Sequence, residues 1–181
     1  MLNFKRLMKH TLLALILIAV MASGVATAQN TRGIDEDVIL TAINDLRTDG
    51  CFCGNEEVRA VPALMWDQRL ADIALNYAIH LKNNNENGDD AYMFMSHVGI
   101  DGSTVETRLA DAGYVAKDVV ENIAYLRGNE NLVIDHWLNN PLSCNNIMSR
   151  KMNVMGAARA GNYWVLIIAQ TPIKKDKKSK K

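Results

Sequence analysis

The sequence predicts an α+β domain built around an antiparallel sheet. Apolar residues recur at helical spacing through the first half of the 181-residue chain, two strand-like runs meeting at Gly161-Asn162 close it, and no internal repeat or second domain intervenes. Ile34, Val38, Ile39, Ala42, Ile43 and Leu46 predict a helix over 35–49. Asp35, Glu36 and Asp37 suit its positive N-terminal end and Gly50 its stop. A loop through Cys51, Cys53 and Gly54 then reaches Pro62. Leu70, Ile73, Ala74, Tyr77, Ala78 and Leu81 form the buried stripe of a second helix over about 67–83. Residues 83–90 read as a polar turn segment around Asn87-Gly88.

Ser103-Thr104-Val105-Glu106 fits a capping box with Ser103 at the N-cap, opening a short helix that ends near Gly113. Residues 119–126 read as a strand, and 130–139 as a helix stopped by Pro141. Residues 154–159 and 163–170 are the clearest strands, and Gly161-Asn162 is a two-residue hairpin signal.

The first 28 residues read as a secretory signal. Lys5, Arg6 and Lys9 precede an uncharged apolar stretch, and Ala26-Thr27-Ala28 supplies the small-x-small pattern for cleavage after Ala28. An uncleaved anchor is the alternative, since residues 11–28 carry no charge. The domain reading is therefore signal 1–28, N-terminal segment 29–36, folded domain 37–171 and tail 172–181. The product is expected to be secreted or periplasmic.

Formal charge is zero over the whole chain, with 20 basic and 20 acidic residues, but it is segregated. Without the signal the balance is 17 to 20, or −3; without residues 174–181, which hold six Lys and one Asp, the body has 11 against 19, or −8. An acidic body repels phosphate, which disfavours nucleic acid as a partner. Residues 174–181 hold no apolar residue to pack, so this Lys-rich end reads as disordered. It serves solubility, or adhesion to an anionic envelope surface.

Three cysteines in an exported chain imply one disulfide and one spare thiol. Cys51 and Cys53 lie too close to pair well, so Cys144 takes one of them. The bridge closes roughly 90 residues, worth about 4–5 kcal/mol in the chain-entropy model. A redox reading lacks the C-x-x-C motif, and a cysteine zinc site lacks ligands.

Several short stretches carry a resemblance. They are Asn44-Asp45-Leu46-Arg47, Cys51-Phe52-Cys53-Gly54, Pro62 to Asp67, Met95-Ser96-His97, Asp101-Gly102-Ser103-Thr104, Ala112-Gly113-Tyr114, Glu121-Asn122-Ile123-Ala124, Trp137 to Pro141, Asn146-Ile147-Met148 and Tyr163-Trp164. Each alone is weak, but in this order and spacing they resemble the CAP superfamily of cysteine-rich secretory proteins, antigen 5 and pathogenesis-related-1 proteins. The bacterial secreted SCP-like branch is the most similar. The resemblance runs from Ile43 to Gln170 and implies a three-layer α-β-α sandwich with a central antiparallel sheet. It also implies that Cys53, the cysteine before Gly, is the partner of Cys144, leaving Cys51 spare.

The family's cleft carries two His and two Glu, which in some members bind a divalent metal. Matched by position, the first His is His97 and the first Glu is Glu121, with Val120 where the family has Gly. The second His position holds Ser143 and the second Glu position Asn140. Half the set is therefore missing, and two ligands hold zinc poorly. His136, one turn before Asn140 on the predicted helix, is a candidate third ligand for a weak zinc site. His80 reads as an ordinary exposed helix residue. A His97–Glu121 hydrogen bond alone could also serve to tie a loop to a strand, and Asn122 is expected to hold its loop through backbone hydrogen bonds.

The resulting expectation is a secreted CAP-like module whose degenerate cleft (His97, Glu121, Asn122, Asn140, Ser143) binds a sterol, a fatty acid or a macromolecular partner. The alternatives are an extracellular peptidase or esterase using His97 and Glu121, with Ser143 or Cys144 as conceivable nucleophile, and a structural envelope protein with the Lys tail as its adhesive part.

Overall fold

The computed structural model describes residues 32–86 and 95–172. The signal segment, the Asn87-Gly88 step and the Lys-rich end fall outside the described residues. Helix α1 spans Glu36–Asp49; Asp35 caps it by accepting from Val38 N, and Gly50, at φ +83°, ends it. Strands β1 (Cys51–Cys53) and β2 (Glu56–Val58) form a small hairpin where the sequence predicts only loop. Strand β3 is two residues, Met65–Trp66. Helix α2 spans Gln68–Glu86 and ends three residues beyond the predicted 83, taking in the start of the predicted turn segment, with Asp67 Oδ1 accepting from Arg69 N and Leu70 N.

Helix α3 is Val105–Asp111. Its N-cap is Thr104, with Thr107 at N3, one residue later than the predicted box. Ser103 is already used in the preceding turn, its N–H donating to Asp101 Oδ1 and its carbonyl accepting from Gly99 N. Strand β4 is Asp118–Tyr125, helix α4 Glu130–Leu138, helix α5 Pro141–Ile147, strand β5 Val154–Ala160 and strand β6 Tyr163–Gln170. The sequence reading missed α5. Pro141 does stop α4, but it also occupies the first turn of the next helix, where its missing N–H costs nothing, and Asn140 caps that helix.

The main sheet runs β3-β5-β6-β4. The three long strands are antiparallel, as predicted, while the short β3 joins parallel to β5. Strand residues alternate between faces, and this sorts the core into two layers. Trp164, Leu166 and Ile168 of β6 pack with Ile39, Ile43, Val133, Trp137 and Ile147 from α1, α4 and α5. Val165, Ile167 and Ala169 pack with Leu70, Ala74, Tyr77 and Leu109 from α2 and α3. The result is the three-layer α-β-α sandwich.

Two contacts fix these layers. Gly156 on β5 lies against the start of α2, where a Cβ would come within 2.2 Å of Ala71 N. Arg47 is fully buried in α1, with Nε 2.8 Å from Pro62 O and Nη1 donating to Ile147 O and Ser149 O. Burial without a carboxylate partner pulls its guanidinium down to about 10, so it is still charged at neutral pH while carbonyl oxygens alone satisfy it.

Candidate functional site

β4 is an edge strand, and its adjacent residues serve different layers. Val119 and Ile123 pack toward α2 and α3, Val120 and Ala124 toward the other layer. Glu121 therefore faces α2 and α3, and Asn122 faces α5.

Glu121 is buried, and both of its oxygens are engaged. Arg108 Nη2, from α3, lies 2.6 Å from Oε2, and His97 Nδ1 lies 2.9 Å from Oε1. A carboxylate oxygen accepts, so His97 Nδ1 is the donor in this contact. The His97 side chain is 60% exposed, whereas that of Glu121 is 2% exposed.

Arg108 organises the rest. Its guanidinium stacks 3.5 Å over the Tyr77 ring and donates to Ser103 O at 3.0 Å and to His97 O at 3.4 Å. The Tyr77 hydroxyl donates to Ser96 O, fixing the segment just before His97. Burial pushes the Tyr77 hydroxyl up to about 12, against the opposing pull of Arg108. His80 is half-buried rather than exposed, because it stacks on Tyr77 at 5.6 Å and accepts from Ile100 N at 3.3 Å. Sequence reasoning missed Arg108, Tyr77 and His80 as a group. The spacing of Tyr77 and His80 on one helix was the only signal for any of it, and Arg108 belongs to no motif.

The other cleft candidates sit across the sheet. Asn122 donates to Ser143 O and accepts from Asn146 Nδ2, both at 2.9 Å, so it ties β4 to α5. Asn140 Oδ1 accepts from Leu142 N and Ser143 N as the α5 cap. His136 is exposed in the last turn of α4. The structure thus brings His97 and Glu121 together and leaves Asn122, Asn140, Ser143 and His136 in the opposite layer.

A zinc centre does not fit this arrangement. Among the described residues, the only group of three or more His, Cys, Asp or Glu with ligand atoms within 4.8 Å of one another is Cys51, Cys53 and Cys144, so His136 does not complete a site at His97 and Glu121. The guanidinium on Glu121 already neutralises the carboxylate that a cation would need. Cys53 and Cys144 form the disulfide, so they offer no thiolates. Cys51 is free and half-buried, with its sulfur 3.9 Å from that of Cys144. Burial pushes its thiol up.

Two grooves flank α3. One, of about 390 Å³, runs past Tyr77, His80, Asp101, Ser103, Arg108 and Asp111. The larger, of about 550 Å³, lies between α3 and the start of β4 and is lined by Leu109, Ala110, Tyr114, Val115, Ala116 and Val119 among others. Neither His97 nor Glu121 lines the larger one.

No curated protein matches the chain. Among solved structures, an extracellular SCP-domain protein from Bacillus anthracis matches with TM-score 0.58 and 20% identity, covering 75% of this chain and 41% of that one. A cysteine-rich secretory protein from Staphylococcus aureus matches with TM-score 0.57 and 17% identity over 75% of this chain and 38% of that one. The chain thus spans less than half the length of both. An outer surface protein from Borrelia burgdorferi matches with TM-score 0.58 and 20% identity, over 75% of this chain and 92% of that one. These likenesses establish a common fold. The sequence itself matches the model of the cysteine-rich secretory protein family, CAP, over residues 40–167, and the chain belongs to that family.

Proposed function

We propose that the protein is an exported CAP module that binds an apolar small molecule, of the fatty-acid or sterol class, and is not a hydrolase. The observation that carries this reading is the state of Glu121: Arg108 and His97 occupy its two oxygens, so it orients an imidazole and is not itself available as a base. Among the described residues, neither Cys144 nor Ser143 is placed to serve that imidazole as a nucleophile. Cys144 is in the disulfide, Ser143 lies across the sheet, and Ser96 Oγ accepts from Val98 N. The larger groove offers apolar area instead, with Val115 74% exposed at its edge. Export rests on the signal-like first 28 residues, and the extracellular and outer-surface relatives agree with it. Among the described residues no helix is long and apolar enough to cross a membrane. The Lys-rich end would add adhesion to an anionic envelope surface.

Thermal unfolding of the mature chain with palmitate or cholesterol tests the reading. A ligand at about a hundred times its Kd should raise Tm by roughly 5–10 °C. Val115→Asp, at the exposed lip of the groove, should abolish the shift. Failure of every apolar ligand to move Tm overturns the proposal.

The hydrolase reading keeps one observation in its favour, the largely exposed side chain of a carboxylate-oriented His97. Turnover of a peptide or ester panel that disappears in His97→Ala would establish it in place of the binder.

A further inference from the structure

We propose that Cys51, Cys53 and Cys144 form a thiol–disulfide exchange site, in which the bridge migrates between Cys53–Cys144 and Cys51–Cys144. All three sulfurs lie within 4.8 Å of one another, and the free Cys51 Sγ is 3.9 Å from Cys144 Sγ. The arrangement follows from strand geometry. Cys51 and Cys53 are two residues apart on β1, so both project from the same face toward α5, while Phe52 between them points away and is 64% exposed. Cys144, buried on α5, is the partner within reach of either.

The segment that must move is small. β1 is three residues long, it pairs only with β2, and that hairpin is separate from the main sheet. Glycines at positive φ flank β1 on both sides, Gly50 at +83° and Gly54 at +64°. Exchanging one cysteine for the other keeps the same strand face toward α5, so the hairpin need not turn over.

The step balances without an external oxidant. Cys51 gives its proton to water, and its thiolate attacks Cys144 Sγ. The Cys51–Cys144 bond forms as the Cys53–Cys144 bond breaks, and Cys53 leaves as a thiolate that takes up a proton. The number of disulfides is unchanged. What changes is the location of the free thiol, half-buried in one isomer at Cys51 and buried in the other at the position where Cys53 is 4% exposed. Oxidants and alkylating reagents would reach the first isomer more readily than the second.

The test is disulfide mapping of the intact mature chain. Free thiols are capped with N-ethylmaleimide in denaturant after a day at neutral pH, and chymotrypsin then cleaves after Phe52, separating Cys51 from Cys53. Exchange predicts two populations, one capped on Cys51 and one on Cys53, with Cys144 bridged in both. A cap on Cys51 alone, in fresh and aged protein, overturns the proposal. In the Cys53→Ser chain, air oxidation should consume both remaining thiols in a Cys51–Cys144 bridge. Two free thiols in that folded variant would likewise overturn it.

Discussion

Arg108 holds the interior of the site together. It meets the Glu121 carboxylate, the Tyr77 ring and the carbonyls of His97 and Ser103, so a single side chain joins α2, α3, β4 and the segment that carries His97. Removing one partner of a buried pair leaves the other charge uncompensated, which typically costs about 3–5 kcal/mol. Arg108→Leu is expected to lower unfolding free energy by about that amount in urea titrations. Arg108→Leu combined with Glu121→Leu should recover most of the loss, because no lone charge then remains buried. His97→Ala should cost less than about 1 kcal/mol, since that imidazole stands largely in solvent. Equal losses for all three variants would contradict this ordering.

At the scale of elements, packing rather than propensity decides the contacts. β5 meets α2 at Gly156, and the nearest backbone atom to an added Cβ belongs to the helix itself, so no side-chain rotation relieves the clash. Gly156→Ala should destabilise by about 2–3 kcal/mol in the same titrations, the cost of overpacking an interior that cannot give. The same physics explains which elements could be read in the sequence. The long helices announced themselves through apolar stripes, the acidic first turn at Asp35, Glu36 and Asp37 and the Gly50 stop, and β5 and β6 through the Gly161-Asn162 hairpin. The β1–β2 hairpin did not, because Glu56-Glu57-Val58 is a polar strand of three residues held by a neighbour across a tight turn. α5 was hidden because a proline can end one helix and begin another. The His97–Glu121 contact was legible through family motifs. The guanidinium between α3 and β4 was not, since nothing in the chain order links Arg108 to a residue 13 positions away on another element.

The molecule as a whole should be most stable between mildly acidic and mildly alkaline pH, for reasons traceable to particular groups. The Lys151 ammonium holds the Asp118 carboxyl below its usual 3.8, and a hydrogen bond from Thr104 holds Glu106 below its usual 4.5. Their contribution is present above those values and is lost as pH falls through the lower folded ones. At the other end, burial raises Tyr77 to about 12 from 10 and raises Tyr114 as well, with the Tyr114 hydroxyl donating to Asp67 Oδ2 at 2.6 Å. The unfolded chain ionises these phenols near pH 10 while the folded one keeps its protons, so stability falls as pH rises from about 10 toward 12. Tyrosinate absorbance should accordingly rise together with alkaline unfolding for Tyr77 and Tyr114. Independent titration of all five tyrosines near 10, with the fold intact, would contradict the assignment.

The alternation along β4 also constrains how the edge of the sheet can assemble. Glu121 and Asn122 are neighbours, yet each finds its partners in a different helical layer. Were β4 to join β6 one residue out of step, the acid would be driven among Trp137, Ile147 and their apolar neighbours, away from Arg108, and the amide would meet that arginine in its stead. The two side chains thereby act as a lock that admits a single alignment of an otherwise unguarded outer strand, a safeguard against mispaired or intermolecular sheets while the chain is folding.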